Sequence, residues 1–269
     1  MSIQPINTSM VRSIDTAAEF KKAPDNTKTV SRSPKKTYSR EILYYPLNDV
    51  VDNCYVENSA KKILDKYMNE GIIKSAVHKN PNIKKILASE SLTPKIEMKN
   101  ITGKAQEHFI TTYESAKKLA DINKLNPYER KILLKASLLH DIGKSLIPGE
   151  ILNKPGKLTP EERKIVDMHA QLGAEILKTT ELPQKVSNVV GLHHTTNTNP
   201  AKSNDSVSQM LSAADVESAL LEKRAYRPPM SRDLAYDIML NNSNVNNIYA
   251  DQLFPDIKAK RDSSLFRTE

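Results

Sequence analysis

The sequence is poor in the residues that staple a small fold or stack against bases. It holds a single cysteine, Cys54, so no disulfide framework can form within the chain, and a reducing, cytoplasmic location is expected. Tryptophan is absent and aromatic residues make up 5% of the chain, which leaves few platforms for single-stranded nucleic acid. No apolar run approaches the roughly 20 residues that span a bilayer. The opening MSIQPINTSMVRSIDTAAEF has no apolar core like that of a signal peptide, so no membrane partner is expected. Hydrophobic residues make up only 38% of the chain, and part of it is expected to stay unpacked. The net charge of +8 comes from lysines spread along most of the length. It reads mainly as solvated surface with a small local contribution to phosphate binding. No base-reading motif accompanies it, so no specific nucleic acid is expected.

What is present divides into three parts. Residues 1–50 are rich in Ser, Thr, Asn, Lys and Pro, with eight basic and three acidic residues in 1–40. They read as a flexible basic tail. Residues 51–100 read as a short helical region, with Val56, Ala60, Ile63, Leu64, Tyr67 and Met68 on one apolar face and a second short helix in NIKKILAS. Pro81 and Pro94 punctuate that second helix. Residues 101–260 form the main domain. Phe109, Tyr113, Ala116 and Ala120 make an apolar stripe. Asn126-Pro127-Tyr128-Glu129 and Thr159-Pro160-Glu161-Glu162 are helix starts with capping residues. KILLKASLLHD is apolar on nearly every side and is expected to be central, ending at Gly143. The helix from Pro160 is expected to carry Ile165, Met168, Leu172, Ile176 and Leu177. Pro183 opens the next, Val207 to Ala214 makes another, and Ser231 caps the last clear one. No stretch alternates with a period of two. The fold class is all-α, a helical bundle.

Six histidines occur, and five of them sit where chemistry is expected. His108 lies near the start of a helix, His140 and Asp141 end the central one, His169 lies within a helix, and His193-His194 end another. Asp215 follows the small residues Ser212-Ala213-Ala214. An ionised Asp in an apolar helix is costly unless it is paired or bound to metal. Imidazole and carboxylate together suit borderline divalent ions such as Fe, Mn, Co or Zn, and a carboxylate can bridge two of them. Two ions about 3.5–4 Å apart hold a hydroxide and orient a phosphate for in-line attack. Lys144, one turn past His140, is placed to meet phosphate charge. His78, in a polar stretch, is expected to be exposed and outside any site. The residues by themselves carry the reading as far as a buried metal centre in a helical bundle.

At HDIGK (140–144) the sequence resembles the HD superfamily of metal-dependent phosphohydrolases. IPGEILNKPGKLTPEERKIVDMHAQLGAEIL (147–177) is similar to the HD-GYP subfamily, whose pattern runs I-P-x-x-I-L-x-K-P-G-x-L-T-x-E-E and then H-x-x-x-G-x-x-I-L. AADVESALLEKRAYRPPMS (213–231) looks like that family's D-V-x-x-A-L-x-x-x-R-x-Y-R segment. The resemblance covers about 102–260. It implies an all-α bundle and two divalent metal ions, Fe, Mn or similar. His108, His140, Asp141 and Asp215 would hold one ion, and Asp141, His169, His193 and His194 the other. Lys144 would contact the scissile phosphate, with Asp141 and Lys144 as the catalytic pair. Arg224 and Arg227 would bind substrate phosphate. The implied activity is hydrolysis of a nucleotide phosphodiester, a cyclic dinucleotide such as cyclic di-guanylate among the candidates, by a metal-bound hydroxide.

Three departures from the pattern shape that expectation. After the paired histidines the family continues E-R-x-D-G-x-G-Y-P, where this chain has Thr195-Thr196-Asn197-Thr198-Asn199-Pro200. The segment from His194 to Asp215 is shorter than in the family. Lys104 stands where members with three metals carry Glu, so two ions at most are expected. Every two-metal ligand is retained, so the expectation is retained hydrolysis with altered substrate choice. The alternative is a non-catalytic signalling module that binds metal and nucleotide. Regulation is left to assembly as a homodimer or to a signalling protein partner.

Overall fold

A computed structural model describes residues 58–196, 198, 199, 202, 204–223 and 228–265. The basic tail, Cys54, Val56, Arg224 and Arg227 lie outside the described residues. Those described contain α-helices and short 3-10 turns and no strand, so the fold is all-α. Thirteen α-helices are described: α1 (Asn58–Tyr67), α2 (Glu70–Lys79), α3 (Pro81–Ala88), α4 (Lys104–Ile122), α5 (Pro127–Leu139), α6 (Gly149–Leu152), α7 (Pro160–Asp167), α8 (His169–Leu177), α9 (Gln184–Leu192), α10 (Ser206–Leu221), α11 (Arg232–Leu240), α12 (Asn247–Leu253) and α13 (Pro255–Leu265). No helix among them is long and apolar enough to cross a membrane.

Two helices form the axis of the bundle because they are apolar on most sides. In α5, Ile132, Leu133, Ala136, Ser137, Leu138 and Leu139 are all buried, and the helix packs against α1, α4, α9 and α10. In α10 burial runs unbroken from Val207 to Asp215, and the helix packs on α4, α5, α9, α11 and α12. The Asn126 side chain accepts from the N–H groups of Tyr128 and Glu129, and Thr159 with Glu162 closes a full capping box. Both starts follow from the same chemistry, a short polar side chain satisfying N–H groups that the first turn leaves without a partner.

The N-terminal helices share the main core. Ala60, Leu64, Tyr67 and Met68 of the α1 region, with Ile73, Ala76, Ile83 and Leu87 of α2 and α3, join one apolar cluster with α5 and α8. Asn80, which caps α3 ahead of Pro81, also donates from Nδ2 to the Glu175 carbonyl (3.0 Å) and carboxylate (2.7 Å) of α8. Asn69 caps α2, a further helix between the two that the apolar pattern marks.

The structure corrects two expectations. The helix from Pro160 does not run unbroken to Leu177. It stops at Asp167, and α8 begins at His169, so His169 opens a helix. The Val166 carbonyl, which an unbroken helix would offer to the Ala170 N–H, accepts from His169 Nδ1 at 2.6 Å. Gly143 does not end α5 through a left-handed residue. It sits in the 3-10 turn Ile142–Leu146 and serves close approach. A Cβ there would lie 2.0 Å from the His169 carbonyl oxygen and 2.6 Å from the Gly173 nitrogen. Beyond Ser231 the chain also adds α12 and α13, two short helices whose apolar signal falls on only a few residues, Tyr249, Ala250 and Leu253 in α12.

Because both obstacles are backbone atoms, Gly143→Ala forces α8 away from the turn that carries Asp141. Overpacking of this kind costs about 1–3 kcal/mol, which predicts a fall of roughly 3–10 °C in the midpoint of thermal unfolding followed by circular dichroism. An unchanged midpoint would show that the contact between Gly143 and α8 is not tight.

Candidate metal centre

Three histidines stand at helix ends with a shared local geometry. His140 and His193 are the residues immediately after α5 and α9, and His169 lies two residues past the end of α7. Each turns Nδ1 back onto the carbonyl three residues before it: His140 on Ser137 at 2.8 Å, His169 on Val166 at 2.6 Å and His193 on Val190 at 2.6 Å. Carbonyls in a last helical turn have no intrahelical donor, so the imidazole N–H caps them. The consequence is a fixed tautomer. With Nδ1 donating, a neutral ring keeps its lone pair on Nε2.

Those Nε2 atoms converge. His140 and His108 approach to 3.3 Å, His169 and His193 to 3.3 Å, and His194 and His169 to 3.2 Å, all between Nε2 atoms. Two nitrogens bound to one ion at about 2.0–2.1 Å, at angles of about 90–110°, are separated by about 2.8–3.4 Å. Between His169 and His193, whose Nδ1 atoms donate to backbone carbonyls, inward-facing lone pairs at this separation repel, and a cation among them removes the repulsion. The donor set therefore fits a divalent metal ion. Three helix C-termini, those of α5, α7 and α9, also bring the negative ends of their dipoles to the same place, which favours positive charge there.

The carboxylates complete two lobes. Asp141 Oδ1 is 3.1 Å from His169 Nε2, and its Oδ2 is 3.4 Å from His140 Nε2 and 3.9 Å from His108 Nε2. Asp215 Oδ1 is 3.1 Å from His108 Nε2 and 3.6 Å from His140 Nε2. His108, His140 and Asp141 thus form one cluster with the geometry of ligands, and His169, His193 and His194 a second. Asp141 faces both, one oxygen to each. His140, Asp141, His169, His193 and Asp215 are buried, His108 is partly buried and His194 is exposed, so the site opens to solvent on the His194 side. Lys144 Nζ lies 2.6 Å from Asp141 Oδ2, at the rim. His78 is exposed on α2, as its polar surroundings imply.

Charge in the cluster is balanced by proximity. Burial pushes the Asp141 carboxyl up, but Lys144, His140 and His169 outweigh it and hold the group well below the usual carboxylate range. Burial does the same to Asp215, and His108 and His140 reverse it. Burial opposes a charged His108, yet Asp215, Glu222 and Asp141 raise it to about 9. His193 goes the other way. Burial first, then the neighbouring histidines, hold it well below its ordinary value and keep it neutral.

Glu222 is a participant that sequence reading missed. Its Oε1 lies 3.3 Å from His108 Nδ1 and accepts from Thr111 Oγ1 at 3.0 Å. His108 is thus the one described site histidine whose Nδ1 faces a carboxylate, where the three helix-end histidines face backbone carbonyls. A glutamate just past the end of α10 carries no sequence signal for this. Only the packing of α4 on α10 brings it to the ring, a pairing fixed by Thr112 Oγ1 and Ser218 Oγ at 2.7 Å.

Comparison with known proteins places the chain. The HD domain family matches residues 90–249, more than half of the chain. A cyclic di-GMP phosphodiesterase of Vibrio cholerae is 31% identical over 158 residues, covering 51% of this chain and 32% of that protein. A 3'3'-cGAMP-specific phosphodiesterase of the same organism is 36% identical over 121 residues, covering 42% of this chain and 23% of that one. A cyclic di-GMP phosphodiesterase of Pseudomonas aeruginosa is 49% identical over 59 residues, 22% of this chain and 14% of that one. The match spans about a third or less of the length of these curated relatives. With a family match that takes in His108, the His140-Asp141 pair, His169, His193, His194 and Asp215, the chain belongs to the HD domain family.

Proposed function

We propose that this chain is a metal-dependent phosphodiesterase that hydrolyses a nucleotide phosphodiester, with cyclic dinucleotides such as cyclic di-guanylate as the substrate class. The observation that carries the reading is the convergence of five imidazoles and two carboxylates into two adjoining lobes that share Asp141. The relatives' names, each a phosphodiesterase of a cyclic dinucleotide, support the substrate class. In the proposal His108, His140, Asp141 and Asp215 hold one divalent ion and Asp141, His169, His193 and His194 hold a second, iron or manganese by donor chemistry. Such ions, when bound, polarise the phosphoryl oxygens and make water nucleophilic at neutral pH.

The chain's own groups do the positioning. Asp141 joins the lobes because a carboxylate offers two oxygens and an imidazole offers one inward nitrogen. The helix-end carbonyls fix the tautomers of His140, His169 and His193, and Glu222 faces the outer nitrogen of His108. Lys144, partly exposed and paired with Asp141, exchanges that carboxylate for a non-bridging phosphate oxygen as substrate enters, and holds its charge as the transition state develops. Arg224 and Arg227, outside the described residues, belong to the proposal as contacts to the flanking phosphate. The open edge at His194 admits the substrate. Domain limits of 101–260 for the phosphohydrolase part, with 1–50 and 51–100 preceding it, complete the proposal.

The test is metal content by elemental analysis on anaerobically purified protein, paired with turnover of bis-p-nitrophenyl phosphate and cyclic di-guanylate. About two ions per chain are expected, with turnover abolished by a chelator and restored by Mn2+ or Fe2+. Asp141→Ala should lower kcat/KM at least about a thousandfold, on the order of 4 kcal/mol in transition-state stabilisation. Metal bound without turnover of either compound would instead favour the non-catalytic module.

Partners of the outer imidazole nitrogen are worth roughly 10–100-fold in metal affinity. Glu222→Ala is therefore expected to weaken Mn2+ binding by about that factor in a calorimetric titration, with Glu222→Gln intermediate. An affinity within twofold of the parent would remove Glu222 from the site.

A further inference from the structure

Lys202 is a fully buried lysine that the mechanism above does not use. It is 0% exposed and among the largest fully buried side chains. Taking an ammonium out of water costs several kcal/mol unless its three N–H groups are satisfied. Here they are satisfied by backbone carbonyls: Thr195 at 2.6 Å, Asn244 at 2.8 Å and His193 at 3.4 Å. Two of these flank His194 in the chain, at the C-terminal end of α9, where the helix dipole favours a cation. Burial lowers Lys202 to about 8, with Asp215 opposing, so the ammonium is the main form at neutral pH.

The surroundings fix the lysine in turn. Its own carbonyl accepts from Gln209 Nε2 of α10 at 3.1 Å, and Gln209 Oε1 accepts from Asn246 Nδ2 at 2.7 Å. The His193 carbonyl has a second donor, Ser212 Oγ, one turn before Asp215 on α10. The peptide that joins the paired histidines is thus tied from two sides to the helix that carries the carboxylate of the other lobe.

We propose that Lys202 is the positioning residue of the paired histidines, its buried ammonium tying the carbonyls on either side of His194 to the Asn244 carbonyl and so holding both imidazoles where a divalent ion needs them. The proposal rests on the reading that His169, His193 and His194 hold an ion. A lysine that only filled the core would contribute to stability and leave ion affinity in the folded protein unchanged. A positioning lysine changes the affinity of one lobe and spares the other.

The experiment uses the full chain, loaded with Co2+ in place of the native ion and followed by calorimetry and by the visible absorption of the bound cobalt. For Lys202→Met, similar in length and uncharged, one of two ions is expected to lose at least about tenfold in affinity, while the other stays within about twofold of the parent and the cobalt spectrum of the weakened lobe changes. Ser212→Ala, which removes the other donor to the His193 carbonyl, is expected to act in the same direction to a smaller extent, and Lys202→Gln serves if Lys202→Met does not fold. Two ions bound with parental affinities by a folded Lys202→Met, or by Lys202→Gln when Lys202→Met fails to fold, would overturn the proposal alone. A parent chain that takes up no second ion would overturn the metal reading and this proposal with it.

Discussion

Three backbone carbonyls at helix ends govern the site. A helix terminates with carbonyls that have no donor of their own, and in α5, α7 and α9 one such carbonyl is taken by the Nδ1 of a histidine three residues later. That bond does two things at once. It ends the helix at a defined residue, and it turns the ring so that Nε2 points into the bundle with its lone pair available. Fold termination and ligand orientation are therefore the same interaction. The imidazoles are held before any ion arrives, which lowers the ordering cost of binding one.

The electrostatics follow from this arrangement. Asp141 and Asp215 are buried, and they stay ionised because imidazoles and Lys144 surround them. His193 stays neutral because it is buried beside other histidines. His108 faces three carboxylates and holds a proton far more firmly. The two lobes therefore differ in character, one pairing a firmly held proton on His108 with the Asp215 carboxylate, the other carrying His193 and His194, which burial keeps neutral, with Asp141 between them. An uncompensated charge at this depth would cost several kcal/mol, so removing one member of a lobe leaves its neighbours with unbalanced charge or opposed lone pairs.

The helical reading was legible because caps and apolar periodicity are local. Asn126 and Thr159 mark helix starts through short-range hydrogen bonds that the structure reproduces, and the all-round apolar α5 could only be central. The seven candidate residues stood out for a related reason: their residue types come in an order that resembles a known pattern, five of them, His140, Asp141, His169, His193 and His194, at or beside helix ends. What escaped was non-local. The break at Met168 arises because a side chain takes a carbonyl the helix would have used, which no periodicity records. Gly143 looked like a helix terminator, and its true constraint is the backbone of α8 passing within contact distance. Glu222 and Lys202 carry no motif and acquire their surroundings only when α10 docks on α4 and α9.

The sequence by itself determined the helical class, most helix starts, the burial of α5, and the inventory of imidazoles and carboxylates with metal-binding chemistry. These depend on side-chain type and on spacing along one chain segment. Tertiary structure alone decided that the inward nitrogens converge, that Asp141 presents one oxygen to each lobe, and that a glutamate and a lysine stand beside His108 and His193. Those features depend on the separation of atoms more than a hundred residues apart in one case and on how neighbouring helices dock in the others. Both are set by packing, whose energy is summed over many contacts and is written in no single stretch of the chain.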